Sequence, residues 1–316
     1  MMKYTFRLIP VLALFLFSFS PDQLKSDEEQ IKQVVNSFMH CFEVKDSISF
    51  YTLFHEDPVV WVGITKENTL KKYRKKNPKE PDFFSDSYQT FYRSITPKEK
   101  EAEKFYNLVI DHDENIASVT FDYSFWKNGK SVNWGKESWA LIKVKDKWKI
   151  ASVVFSYEEE SVRKEKKGMA LKGNEEAGIR KVIADFAYCI VSKDSVGFCS
   201  LFHEEPVTWI GVYKEHSYRK KLEKDTTLRQ WYSNGYRSFA HSLTKKSHLD
   251  EIFRNVKITY DENLAAVTFD YSFWNERTKR NWGKESWILI KTSNQWKITS
   301  VIYSVEYESV LPEPKR

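Results

Sequence analysis

Asp122 and Glu137 are the residues best placed to do chemistry in this sequence. They lie in two aromatic runs, Val119-Thr-Phe-Asp-Tyr-Ser-Phe-Trp126 and Asn133-Trp-Gly-Lys-Glu-Ser-Trp139. A carboxyl group held in an apolar pocket has its charged form disfavoured, so its pKa rises and it can act as a general acid or base near neutral pH. Trp61 and Trp139 would wall such a pocket, and His55, at the end of a predicted short helix, would add an imidazole. Each residue also has a plain structural role open to it. Glu137 could pair with Lys136 or Arg93, Asp122 could accept bonds from a turn or a tyrosine, and His55 could bond helix-end carbonyls. The tryptophans could be core.

The whole set occurs twice. Val267–Trp274 and Asn281–Trp287 repeat the two runs letter for letter, at offsets 267 − 119 and 281 − 133, both 148. His203, Trp209, Asp270, Glu285 and Trp287 are the second set of candidates. The chain is therefore a tandem duplication, and one unit has to be explained and then doubled. No His, Cys, Asp or Glu cluster has metal-ligand spacing, and neither a phosphate-cradling glycine loop nor a nucleophile motif stands out. No metal and no cofactor are expected.

The elements that must carry these residues follow from periodicity. Ile31, Val34, Val35, Phe38, Cys41 and Phe42 form the stripe of an amphipathic helix, capped by Ser26 or Asp27. Its repeat is Ile179, Val182, Ile183, Phe186, Cys189 and Ile190, with Asn174 as cap. A short helix follows each, stopped by Pro58 and Pro206. Residues 59–62 and 207–210 read as short strands ending before Gly63 and Gly211. The stretches 64–94 and 212–238 read as loop plus helix. There Tyr73-Arg-Lys-Lys76 matches Tyr218-Arg-Lys-Lys221, and Tyr92-Arg-Ser94 matches Tyr236-Arg-Ser238. Those offsets of 145 and 144 imply insertions and deletions.

Four long strands close each unit: Phe105–Asp111, Ile116–Trp126, Ser131–Val144 and Trp148–Tyr157, then Phe253–Thr259, Leu264–Trp274, Lys279–Thr292 and Trp296–Val305. Asn128-Gly129 is a strong hairpin signal; the second copy lacks it, which predicts a different loop. A two-residue turn at Lys145-Asp146 sets Ala140 opposite Ala151 and puts Glu137 and Trp139 on the face of Trp148 and Ile150. Without bulges, Thr120, Asp122, Ser124 and Trp126 join that face, and Val119, Phe121, Tyr123 and Phe125 take the other, toward a second domain.

This order of elements resembles the nuclear transport factor 2-like superfamily, the cone fold that includes SnoaL-like cyclases and ketosteroid isomerase. The residues that carry the resemblance are the apolar first helix, the Phe-His-Glu-Asp/Glu-Pro-Val-x-Trp-x-Gly segments (54–63 and 202–211), and the closing Trp-Lys-Ile (148–150 and 296–298). It implies an α+β fold: two tandem cone-shaped domains, each with N-terminal helices packed on a curved antiparallel sheet, paired as an intramolecular pseudo-dimer. The domains are expected at 27–157 and 174–305, with a charged linker at 158–173 and a tail at 306–316. The resemblance further implies a ligand cavity on the concave face. Ligand-binding relatives often carry His or Arg on the strand after Trp-Lys-Ile. Here that strand reads Ala-Ser-Val-Val-Phe-Ser (151–156) and Thr-Ser-Val-Ile-Tyr-Ser (299–304), which weakens an enzymatic reading.

Composition bounds the rest. A hydrophobic fraction of 41% and an aromatic fraction of 16% in 316 residues suit two globular cores. Residues 1–20 have a short basic start, an apolar run too short for a membrane span, and small residues after it, the pattern of a secretory signal peptide. A secreted or periplasmic protein is expected, with no membrane insertion after signal removal. The net charge of +6 is too small to argue for nucleic acid. Cys41, Cys189 and Cys199 form no disulfide framework. The function expected is binding of a small hydrophobic or amphipathic ligand. The alternatives are a SnoaL-like lyase, isomerase or hydrolase with a buried carboxylate base, and an interaction module whose cones are filled by side chains.

Overall fold

The computed structural model describes residues 26–95, 99–165, 175–204 and 206–315. The expected signal peptide, Asn174 and the second half of the expected linker (166–173) lie outside them. The first unit runs α1 (Asp27–Val44), α2 (Ser47–Thr52), β1 (Val60–Thr65), α3 (Glu67–Arg74), β2 (Phe83–Asp86), α4 (Tyr88–Ser94), β3 (Glu101–His112), β4 (Ile116–Lys127), β5 (Lys130–Val144) and β6 (Lys147–Glu159). The second runs α5 (Glu175–Ser192), α6 (Ser195–Ser200), β7 (Thr208–Tyr213), α7 (Glu215–Leu222), β8 (Trp231–Tyr232), α8 (Tyr236–Leu243), β9 (Leu249–Tyr260), β10 (Leu264–Asn275), β11 (Thr278–Thr292) and β12 (Gln295–Tyr307). Each unit builds a six-stranded sheet, in the orders β2-β1-β6-β5-β4-β3 and β8-β7-β12-β11-β10-β9. The sheets are mixed rather than wholly antiparallel, because β1 and β7 run parallel to β6 and β12.

Local chemistry explains the helices and their seats. Ser26 and Glu29 form a reciprocal capping box at the start of α1. Asp27 then accepts from Lys143 (2.7 Å) and from the Trp148 indole (3.1 Å), tying the helix start to β5 and β6. Glu175 does the same for α5 with Lys291 and Trp296. The tryptophan of the Trp-Lys-Ile motif is thus a helix anchor. Strands β1 and β7 continue through Gly63 and Gly211, where a Cβ would strike the ring of Phe84 or Tyr232. Glycine there lets an aromatic ring lie against the strand.

The variable stretches hold no insertion. Every element after α1 starts 148 residues before its counterpart. Phe54 stacks on Tyr88 (4.0 Å between centroids) as Phe202 does on Tyr236 (4.2 Å), so Tyr236 corresponds to Tyr88 and not to Tyr92. The matches at 145 and 144 are coincidences of basic and tyrosine-rich composition. The β10–β11 turn is also conserved in shape. Glu276 and Arg277 take φ of 49° and 61°, as Asn128 and Gly129 take 49° and 79°. A left-handed conformation at a non-glycine residue costs roughly 1–2 kcal/mol. Arg277→Gly is therefore expected to raise stability by about 1 kcal/mol in denaturant titration, whereas Gly129→Arg should lower it.

The two sheets pack back to back. Val60, Val62, Ile64, Ala140, Ile142 and Val154 meet Ile210, Val212, Leu264, Ile288, Ile290 and Ile302 in one apolar layer. The cone faces carry separate cores around Phe38 and Trp139 and around Phe186 and Trp287. A reciprocal polar exchange frames the seam. Lys66 Nζ reaches Asp261 Oδ2 at 2.5 Å, and Lys214 Nζ reaches Asp113 Oδ2 at 3.0 Å. Ser156 and Ser304 donate to the same two carboxylates, at 2.7 and 2.5 Å. The Asp-Glu-Asn turns at 113–115 and 261–263 therefore do more than reverse the chain, since each is received by the other unit.

Candidate functional site

Bulges decide which side chains enter each cone. The β4–β5 register shifts between Phe125 and Trp126, after which Phe121 pairs with Glu137, and Asp122 with Lys136. A shift between Ala140 and Leu141 sets Ala140 opposite Ser152 and not Ala151. That puts Val153 and Phe155 on the cone face with Trp148 and Ile150, and leaves Ala151 and Val154 at the seam. Each bulge inserts one residue and reverses the side-chain parity beyond it.

The expected site is corrected accordingly. Val119, Phe121 and Tyr123 face the cone and not the seam. Asp122 points away from the cone. It accepts from Lys136 Nζ (2.7 Å) and from Asn107 Nδ2 (2.7 Å). Asn107 has a φ of 55° at the β3 irregularity, so Asp122 holds the bulge that bends this strand. Asp270 does the same with Asn255 at 2.7 Å. The letter-for-letter repeat of this aspartate is thus explained by strand geometry.

His55 and His203 leave the cones as well. The His55 ring stands edge-on to Trp231 of the other domain at 4.4 Å, and His203 to Phe83 at 4.4 Å. Burial keeps both imidazoles below their usual pKa. They are wedges in the seam between the domains.

Glu137 and Glu285 do line the cones. Trp139 donates its indole N–H to Glu137 Oε1 at 2.5 Å, and Trp287 to Glu285 at 2.6 Å. These two tryptophans are fully buried and orient the carboxyls rather than lining the cavities. Trp61 and Trp209 line the walls of the two cavities. The cavity of the first cone measures about 230 Å³ and is walled mainly by Phe38, Trp61, Phe91, Tyr123, Phe125 and Phe155. That of the second is also about 230 Å³, between Phe186, Trp209, Phe239, Tyr271, Phe273 and Tyr303. The cones are therefore not filled by their own side chains.

The partner of each glutamate is a residue that the aromatic pattern does not reveal. Glu103 on β3 and Glu251 on β9, again 148 apart, line the same cavities. Burial, reinforced by the neighbouring Glu137, pushes the Glu103 carboxyl well above the ordinary range. Glu251 is raised by burial and by Glu285. Burial lifts Glu137 and Glu285 to about 8, against the opposing effect of the tryptophan hydrogen bonds. Glu103 Oε2 is buried with no hydrogen-bond partner. Tyr123 and Tyr271 lie between the paired acids, but their hydroxyls donate to the Ser156 and Ser304 carbonyls at 3.0 and 2.9 Å. Two carboxyls, both raised above the ordinary range by burial, are thus set in each aromatic cavity.

The rims differ. In the first cone Glu101 accepts from Lys127 at 2.8 Å, and both line the opening. Their counterparts are Leu249 and Asn275. Among the described residues, no group of three or more His, Cys, Asp or Glu side chains is placed to hold a metal ion. Among them too, no helix is long and apolar enough to cross a membrane. Cys41 and Cys189 are buried and Cys199 half-buried, all as free thiols.

Solved structures with a similar fold are nuclear transport factor 2-like (NTF2-like) proteins. One from Shewanella baltica, of unknown function, is 16% identical, with a TM-score of 0.29 over 42% of this chain and 93% of its own. Another, from Novosphingobium aromaticivorans and described as having a cystatin-like fold, is 11% identical, with a TM-score of 0.31 over 43% of this chain and 88% of its own. A protein of unknown function from Mycobacterium tuberculosis is 14% identical, with a TM-score of 0.31 over 45% of this chain and 82% of its own. At these identities the likeness is one of fold. No family model matches the chain, and no curated protein matches it.

Proposed function

We infer that each domain is a receptor for a small amphipathic molecule, held with its apolar body against the aromatic walls and its polar group on the carboxyl pair. The observation that carries this reading is the duplicated cavity. Two pockets of about 230 Å³ each retain the same two acids, although much of the sequence around them has diverged. Buried carboxyls are costly to keep in an apolar setting without partners. A ligand that hydrogen-bonds to them offsets that cost. We also propose that the protein is exported, on the strength of the leader pattern in residues 1–20; N-terminal sequencing of the mature protein would test this by finding, or failing to find, the leader removed.

Stoichiometry tests the receptor reading. Asn133 and Asn281 line the two cavities at partly exposed, equivalent positions. Small aromatic probes followed by saturation-transfer NMR and calorimetry should occupy two sites. Asn133→Trp or Asn281→Trp should leave one site, and the double variant none. Binding that persists at two sites in the double variant would place the ligand elsewhere.

A further inference from the structure

Building on the receptor reading, we propose that the cones select organic cations: small aromatic or aliphatic amines whose ammonium group sits on the Glu103–Glu137 pair in the first domain and the Glu251–Glu285 pair in the second. Three observations converge on this class. First, the charged groups lining the two cavities are acids, apart from Lys127 in the first. Lys127, the cation at the first rim, is engaged by Glu101 at 2.8 Å and by Glu99 at 3.4 Å. Second, an acid oxygen in the first cone lacks a partner, and the same acid recurs in the second. Glu103 Oε2 is buried without a hydrogen bond. Glu251, its counterpart in the second cone, is only 8% exposed and lines that cavity. Third, the remaining walls are largely aromatic. Trp61, Phe91 and Phe155 in one cone, and Trp209, Phe239 and Tyr303 in the other, present electron-rich π systems that attract a cation.

Electrostatics separates the ligand classes. An anion would be repelled by either carboxyl once ionised and by the aromatic quadrupoles, and it could be held only while both acids stay protonated. A neutral alcohol can hydrogen-bond to one protonated carboxyl, but it leaves the repulsion between the acids unrelieved. An ammonium group supplies several donors and the positive charge that lets the acids ionise. Binding should therefore release protons. The titratable and charged groups facing each pair are few. In the first cone they are Tyr123 on β4, Tyr157 on β6, and Glu101 with Lys127 at the rim. In the second they are Tyr271, Tyr303 and Tyr232. Burial holds Tyr123 and Tyr271 far above neutral pH, so the carboxyls are the source of the released proton. The cavity volume equals about eight waters at roughly 30 Å³ each, which fits a molecule of benzylamine size.

The test compares benzylammonium, benzyl alcohol and benzoate by calorimetry on the full chain, in two buffers of different ionisation enthalpy. Benzylammonium should bind roughly tenfold or more tightly than benzyl alcohol, with net proton release and affinity rising toward pH 8. Benzoate should not bind. Glu137→Gln/Glu285→Gln should abolish the cation preference while benzyl alcohol still binds, and Glu103→Gln/Glu251→Gln should weaken it. Benzyl alcohol binding as tightly as benzylammonium would overturn the cation assignment and leave the receptor reading standing. So would a preference that persists in the Glu→Gln variants. Failure of all three probes to bind would overturn both.

Discussion

Lys66→Met is expected to cost about 3–5 kcal/mol of stability, because it strands a buried carboxylate. Lys66 and Asp261 are both nearly inaccessible, with side chains 1% and 6% exposed. Burial alone would raise the Asp261 carboxyl, but the Lys66 ammonium and the Ser156 hydroxyl hold it below its usual pKa. Its other oxygen accepts the backbone N–H groups of Asn263 and Leu264, each at 2.8 Å, so the turn and the pair stand together. Equilibrium denaturation would measure the loss. Lys66→Met/Asp261→Asn should recover part of it, since the asparagine keeps the turn acceptor and removes the stranded charge. Lys214→Met should cost less, because its partners Asp113 and Glu114 are 12% and 56% exposed and the vacated site is more easily hydrated. A loss below about 1 kcal/mol for Lys66→Met would mean that the apolar layer alone holds the domains together.

The second large effect concerns pH. Glu137 and Glu285 have folded-state values of about 8 against an ordinary 4.5. The folded state therefore binds more protons than the unfolded chain between those values. Their contribution to stability is fully present below about pH 4.5 and is lost as pH rises through about 8. Each shift corresponds to about 2–5 kcal/mol once coupling to Glu103 or Glu251 is allowed for. Glu137→Gln/Glu285→Gln should be more stable than the parent at pH 8, with the gain shrinking toward pH 5. Urea midpoints across that range would show it. Glutamine can still accept the Trp139 and Trp287 indole protons, so the comparison isolates ionisation. Equal pH slopes for parent and variant would show that these carboxyls are solvated.

Much of this was legible in the chain. The helix stripes, the four-strand meander and the doubly apolar sheet follow from period and spacing, and together they placed a second sheet behind the first. Glu137, Glu285, Trp61 and Trp209 were likewise found at the cavities. What failed did so for identifiable reasons. A bulge adds one residue without altering composition, so Asp122 and Asp270 were assigned the wrong face. Glu103 was hidden because β3 begins inside the charged run Lys98-Glu-Lys-Glu-Ala-Glu-Lys104, which has no alternating apolar pattern until Phe105. Its only signal was the glutamate 148 residues on, at Glu251. His55 and His203 were read from their place at helix ends, yet their neighbours come from the other domain, which sequence spacing within one repeat does not encode.

A pair of acids sits against the aromatic wall of each cone. Carboxyl-carbon NMR of glutamate-labelled protein tests it most directly, with Glu137→Gln and Glu285→Gln assigning the resonances. Two resonances should titrate near pH 8 and move to lower pH when benzylammonium is added. Titration of every glutamate in the ordinary range around 4.5, with or without the amine, would contradict it.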